Sequence, residues 1–213
     1  MNRFSLPFRY ACGLAAWFLV GASAYAETPQ LNPNFHYFIA GQVVGPRGFS
    51  VGDPSNWSIN LIDLTGHSVG KKVKATPVDY RGKNDALHVV WSKAKMNGQL
   101  ALYGDPINLS AVRDQATLVF DLKLERKPTK DVTIAMDCEW PCRGSFNATS
   151  TLKKFPKGEW RYFSLPLNCI RGDKFDLSKI NGVFLMSTDG ALELSLANIR
   201  LERLAEGEKG CVE

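Results

Sequence analysis

The chain has 213 residues, 26 basic and 21 acidic side chains, and a net charge of +5 at neutral pH. That length holds one domain with a sizeable core, or one domain behind a short extension. A charge this mild does not call for nucleic acid or an anionic membrane as partner.

In chain order, the first segment reads as a secretory signal peptide. Arg3 and Arg9 give a positive start, residues 11–22 form an apolar run of twelve, and Ala24-Tyr-Ala26 is a small-x-small cleavage site. The run is shorter than the roughly 20 residues that span a bilayer. Cys12 lies inside it, without the pattern of a lipoprotein. Cleavage after Ala26 leaves 187 residues, with 24 basic side chains against 21 acidic ones, a balance of +3. The expected location is a bacterial periplasm or the extracellular space.

No long helical period follows. Short alternating runs are separated by Gly, Pro, Asn and Asp, which predicts an all-β sandwich. Strands are expected over 35–44, 57–64, 73–80, 86–91 and 98–103. Turns are expected at 45–48, 53–56 and 81–85, and a loop with at most one helical turn over 105–114. Over 116–124, Leu118, Phe120, Leu122 and Leu124 face one way, and Val119, Asp121 and Lys123 the other. Over 132–137, Val132, Ile134 and Met136 face inward, and Thr133, Ala135 and Asp137 outward. Trp160, Tyr162 and Ser164 alternate with Arg161, Phe163 and Leu165. Runs at 182–187 and 192–201 complete about ten strands, enough for two antiparallel sheets packed face to face. Residues 27–72 are expected to be N-terminal strands or an extension, 73–204 the main sandwich and 205–213 an exposed tail.

After export four cysteines remain, Cys138, Cys142, Cys169 and Cys211. An even number in an exported chain favours disulfides over metal. Three connectivities are open, and the closeness of the first two cysteines favours Cys138–Cys142 with Cys169–Cys211. A zinc site lacks a second paired motif and nearby histidines.

Several motifs recur in a fixed order. They are Asp85-Ala-Leu-His-Val-Val-Trp91, Asn108-Leu-Ser110, Cys138-Glu-Trp-Pro-Cys142-Arg-Gly144, Pro166-Leu-Asn-Cys169, Asp176-Leu-Ser178, Thr188-Asp-Gly190 and a Leu-rich strand over 192–201. In order and spacing they resemble the ExoP-type galactose-binding-like domain found at the C-terminus of some family 3 glycoside hydrolases. The resemblance implies a jelly-roll sandwich and a glycan ligand, with β-glucan one candidate. Glu139 stands where the family has Gly, and Ile170 where it has an aromatic residue. The residues ahead of the domain in this sequence are too few for a catalytic barrel, so the family's hydrolase activity is not expected to carry over.

Sugars are held by flat apolar surfaces and planar hydrogen-bonding groups. Trp57, Trp91, Trp140, Trp160 and Tyr103 are the candidate surfaces. Trp91 shares a face with Leu87 and Val89 and is expected in the core. Trp140 sits between two cysteines with Arg143 just beyond, so a disulfide would present it on a rigid loop. Asp121, Lys123, Thr133, Asp137, Arg161 and Glu193 alternate with core positions and form a second candidate surface. An ordinary solvated face accounts for them equally simply. The carboxylates Asp121, Asp137, Glu139 and Glu193 leave a small glycan hydrolase or lyase open. No nucleophile elbow, zinc-protease helix or phosphate loop is present. His88 lies within a strand, where a structural role is expected. No cofactor is called for, although a structural calcium ion on loop carboxylates such as Asp85 and Asp105 would suit the architecture. An envelope protein as partner is the remaining alternative.

Overall fold

The computed structural model describes residues 31–211. The signal-peptide reading of residues 1–26 lies outside the described residues. Fourteen strands are described: β1 (His36–Ile39), β2 (Gln42–Val43), β3 (Arg47–Asp53), β4 (Asn56–Asn60), β5 (Gly66–His67), β6 (Val73–Val78), β7 (Ala86–Trp91), β8 (Gly98–Ile107), β9 (Ala116–Arg126), β10 (Val132–Asp137), β11 (Arg143–Asn147), β12 (Trp160–Pro166), β13 (Ile180–Thr188) and β14 (Leu192–Arg203). One short helix, α1 (Thr149–Lys154), joins β11 to β12.

The strands form two sheets. The first runs β12-β9-β14-β7-β6-β5, with β1 added to β14 and β2 to β1. The second runs β11-β10-β13-β8-β3-β4. From β7 to β10 each successive strand changes sheet, as it does again from β11 to β14, which is the course of a jelly roll. Alternation explains the core. Leu118, Phe120, Leu122 and Leu124 of the first sheet meet Val132, Ile134 and Met136 of the second in one buried cluster that also takes in Trp91. Each such side chain contributes about 1.5–3 kcal/mol on burial. On β14 the buried set is Leu192, Leu194 and Leu196, then Ile199 and Leu201. The one-residue slip is a bulge, with register shifting between Ala197 and Arg200 and Asn198 at φ 52°.

The structure differs from the sequence expectation at several edges. Residues 35–44 form the β1–β2 hairpin instead of one strand, because Ala40 and Gly41 both take positive φ. The region around 45–48, expected as a turn, leads directly into β3, and β11 and α1 follow the second cysteine where no element was expected. Residues 31–72 hydrogen-bond into both sheets, β1 through β14 and β3 through β8.

Among the polar side chains that lie wholly inside, one is a lysine. Lys72, just before β6, donates from Nζ to the carbonyl oxygens of Ser92 (2.9 Å), Ala94 (2.8 Å), Asp189 (3.0 Å) and Gly190 (2.9 Å). An ammonium has three protons, so four carbonyls share them. Burial pulls its pKa below the ordinary lysine value, and the charge of Asp189 opposes that shift. The contact ties the β7–β8 loop to the β13–β14 turn. Lys72→Met leaves these carbonyls without their donor and is expected to cost at least about 3 kcal/mol. Thermal unfolding should show a Tm lowered by about 6–12 °C; an unchanged Tm would contradict this role.

Candidate functional site

The outer face of the second sheet carries one continuous row of residues. Pairing places Gly48 of β3, Tyr103 of β8, Gly182 of β13, Asp137 of β10 and Arg143 of β11 side by side. Gly182 is the gap in the row. A Cβ there would lie 2.6 Å from the Tyr103 ring and 2.9 Å from Asp137 Cβ. Its absence lets the Tyr103 side chain cross over β13, where its hydroxyl donates to Asp137 Oδ2. From the other side Arg143 donates Nε to Asp137 Oδ1 (2.5 Å) and Nη2 to Oδ2 (2.8 Å). The bidentate fork holds the guanidinium in one plane. The hydrogen bond to Asp137 raises the Arg143 pKa further above its ordinary value. Burial first, and then the bond to Asp137, pushes the Tyr103 phenol well above its usual range. Beside the row, Ala101, Ala135 and Leu185 form a small apolar cluster against Tyr103.

Two tryptophans stand over this floor. Trp140 lies in the β10–β11 hairpin, which the Cys138–Cys142 disulfide closes. Within that hairpin the Cys138 amide donates to the Cys142 carbonyl at 2.9 Å. Trp140 is 75% exposed, and the Arg143 guanidinium carbon lies 5.0 Å from its ring centroid. Trp57, 46% exposed, stands on β4. Its hairpin closes tightly because Gly52 carries no side chain, since a Cβ there would collide with the Trp57 carbonyl.

Between them is a cleft of about 620 Å³, which Ser58, Asn97, Gln99 and Asn181 also line. Three amides each commit one end to the protein. Gln99 Nε2 donates to the Trp57 carbonyl (2.9 Å), Asn97 Nδ2 to Asp189 (2.8 Å), and Asn181 Oδ1 accepts from the Glu139 amide (3.0 Å). Their other ends, two carbonyl oxygens and one NH₂, have no protein partner among the described residues. The chemistry on offer is thus two aromatic faces with neutral donors and acceptors between them.

Of the residues singled out in the sequence, Trp57, Tyr103, Trp140, Arg143 and Asp137 come together here. Asp121, Lys123 and Glu193 do not. They occupy the outer face of the first sheet, because β9 and β14 belong to it while β10 belongs to the second. There Asp121 accepts from Asn198 (2.8 Å), Lys123 pairs with Glu125 (3.0 Å), and Glu193 pairs with Arg126 (2.5 Å) and lies 3.6 Å from His88. Arg161 sits on the edge strand β12 and pairs with Glu159. Thr133 is on the second sheet, away from the cleft lining. Trp91 is buried, and Trp160 lies under the Tyr80 ring at 4.3 Å. The amides Asn97, Gln99 and Asn181 had no sequence signal, since an isolated Asn or Gln at a strand end looks like any turn residue.

Cys169 and Cys211 form the second disulfide, so the favoured connectivity is the one present. The loop carboxylate Asp85 accepts from the amides of Tyr80, Arg81 and Gly82 at 2.7–3.0 Å, so it clasps its own loop instead of standing open as a calcium ligand. Among the described residues, no group of three His, Cys, Asp or Glu side chains could hold a metal ion.

The galactose-binding domain-like family model Exop_C matches residues 50–201. Among solved structures, the extra C-terminal domain (X) of the exo-1,3/1,4-β-glucanase ExoP from a Pseudoalteromonas species superposes with a TM-score of 0.68 at 14% identity. The match covers 84% of this chain and 99% of that one. The whole ExoP enzyme matches over 79% of this chain and 20% of its own length, with a TM-score of 0.66 at 15% identity. The family 30 carbohydrate-binding module of a Clostridium thermocellum cellulosomal cellulase matches with a TM-score of 0.57 at 14% identity, over 82% of this chain and 98% of that one. No curated protein sequence matches the chain.

Gly182→Ala tests the row directly. The added methyl forces Tyr103 or Asp137 to move, and the expected loss is about 1–3 kcal/mol in urea unfolding. A variant as stable as the parent would show that the row tolerates a side chain at this point.

Proposed function

The chain belongs to the galactose-binding domain-like Exop_C family, and on that footing we propose that it is an exported, non-catalytic carbohydrate-binding protein. Its ligand on this reading is a glycan, with β-glucan the first candidate. The observation that carries the proposal is the cleft, in which two exposed indoles flank neutral amides and a fixed guanidinium. Aromatic faces stack on the apolar face of a pyranose ring, and planar amides bond its hydroxyls. The relatives point the same way, one being an accessory domain of a glucanase and another a carbohydrate-binding module.

The carboxylate that lines the cleft supports binding over turnover. Hydrolysis of a glycosidic bond ordinarily uses two carboxyl groups, one of them free to take or give a proton. Among the described residues Asp137 is the one carboxylate lining the cleft, and both its oxygens are held by Arg143 and Tyr103. On the opposite face, Asp121 and Glu193 are likewise engaged by Asn198 and Arg126. Two disulfides suit an oxidising compartment, in keeping with the signal-like residues 1–26.

Affinity electrophoresis of the mature chain in a gel containing soluble β-1,3/1,4-glucan tests the reading. Retardation is expected, Trp57→Ala and Trp140→Ala should each weaken binding by about tenfold, and the double variant should migrate freely. Undiminished retardation of the double variant would move the site elsewhere. Release of reducing sugar by the parent would make it an enzyme.

A further inference from the structure

The cleft's charge is arranged in depth. Among the described residues, its two charged lining residues are Arg143 and Asp137. The Arg143 side chain is 28% exposed and the Asp137 side chain 4%, so the cation faces the opening and its counter-charge lies beneath. The fork between them uses Nε and Nη2, and the Tyr103 hydroxyl occupies the same carboxylate from the far side. What an incoming molecule meets is a guanidinium whose charge is already compensated at contact distance, beside an indole. A neutral hydroxyl loses little at such a group. A carboxylate or sulfate gives up its hydration on entry and meets Asp137 directly behind its intended partner, so the repulsion removes part of the attraction and what is left does not repay the lost hydration.

Resting on the glycan-binding reading, we infer that Asp137 sets the cleft's specificity: it makes the site select uncharged pyranose chains and refuse uronate- or sulfate-bearing ones. Asp137 does this by position, through Arg143, without touching the ligand. Removing its charge alone frees the guanidinium for a bidentate bond to an acidic sugar. Asp137→Asn should therefore do more than weaken the site; it should change the ligand class.

Calorimetric titration of the parent chain and Asp137→Asn, each with a β-1,3/1,4-glucan oligosaccharide and with an oligogalacturonate, decides this at low and high salt. The parent is expected to bind the neutral oligosaccharide at least about tenfold more tightly than the uronate, with little salt dependence. Asp137→Asn is expected to gain affinity for the uronate, and that gain should vanish at high salt. Double substitution with Arg143→Gln should abolish the gain, which a general loosening of the cleft would not. A parent that binds oligogalacturonate as tightly as the glucan would overturn the inference while leaving glycan binding intact. A folded Asp137→Asn chain without the gain would overturn it as well. If that variant does not fold, the parent's preference alone decides. Binding of neither oligosaccharide by the parent would sink this inference together with the reading beneath it.

Discussion

The candidate site depends on a carboxylate that serves the protein and not the ligand. Asp137 is squeezed between a phenol reaching across β13 and a guanidinium in register on β11. A nearly buried charge is costly unless it is paired and hydrogen-bonded, and here three donors meet its two oxygens. The arrangement fixes the floor of the cleft, the plane of Arg143 and, through the contact of Arg143 with its ring, the stance of Trp140. A rigid platform matters for sugars, because binding gains little when side chains must be ordered first. The short hairpin closed by Cys138–Cys142 limits the same motion at the covalent level.

The sandwich supplies the rest by bringing distant segments to one face. Trp57 comes from the β3–β4 hairpin, Asn97 from the loop before β8, and Asn181 from β13. The Lys72 ammonium links that loop to the β13–β14 turn, and the Asn97 side chain bonds Asp189 within the same junction. One rim of the cleft thus rests on a buried cation and the other on a disulfide-closed hairpin.

The core was legible in the sequence because β-strands expose it directly. The alternation at 116–124 and 132–137 separates the side that packs between the sheets from the side that turns away from it, although Val119, Ala135 and Asp137 on the outward side are covered too. The grouping of outward residues was not legible. Period-two patterning tells which side of its own strand a residue takes, but not which sheet the strand joins. Asp121 and Asp137 look equivalent on that criterion and end on opposite faces of the protein. Trp140 and Arg143 could be read because a local device, the cysteine pair, places them. Gly182 could not, since its meaning lies in the crossing of Tyr103, a contact between residues 79 positions apart in the chain. The β1–β2 turn was missed for a related reason, because Ala40 takes a positive φ that its residue type does not advertise.

The most direct measurement follows the indole N–H signals of the mature chain by NMR during titration with a β-1,3/1,4-glucan oligosaccharide. The account predicts that the signals of Trp57 and Trp140 shift together while those of Trp91, in the core, and Trp160, on the opposite face, stay in place. Movement of the Trp160 signal with Trp57 and Trp140 unmoved would contradict it and transfer the binding face to the other sheet.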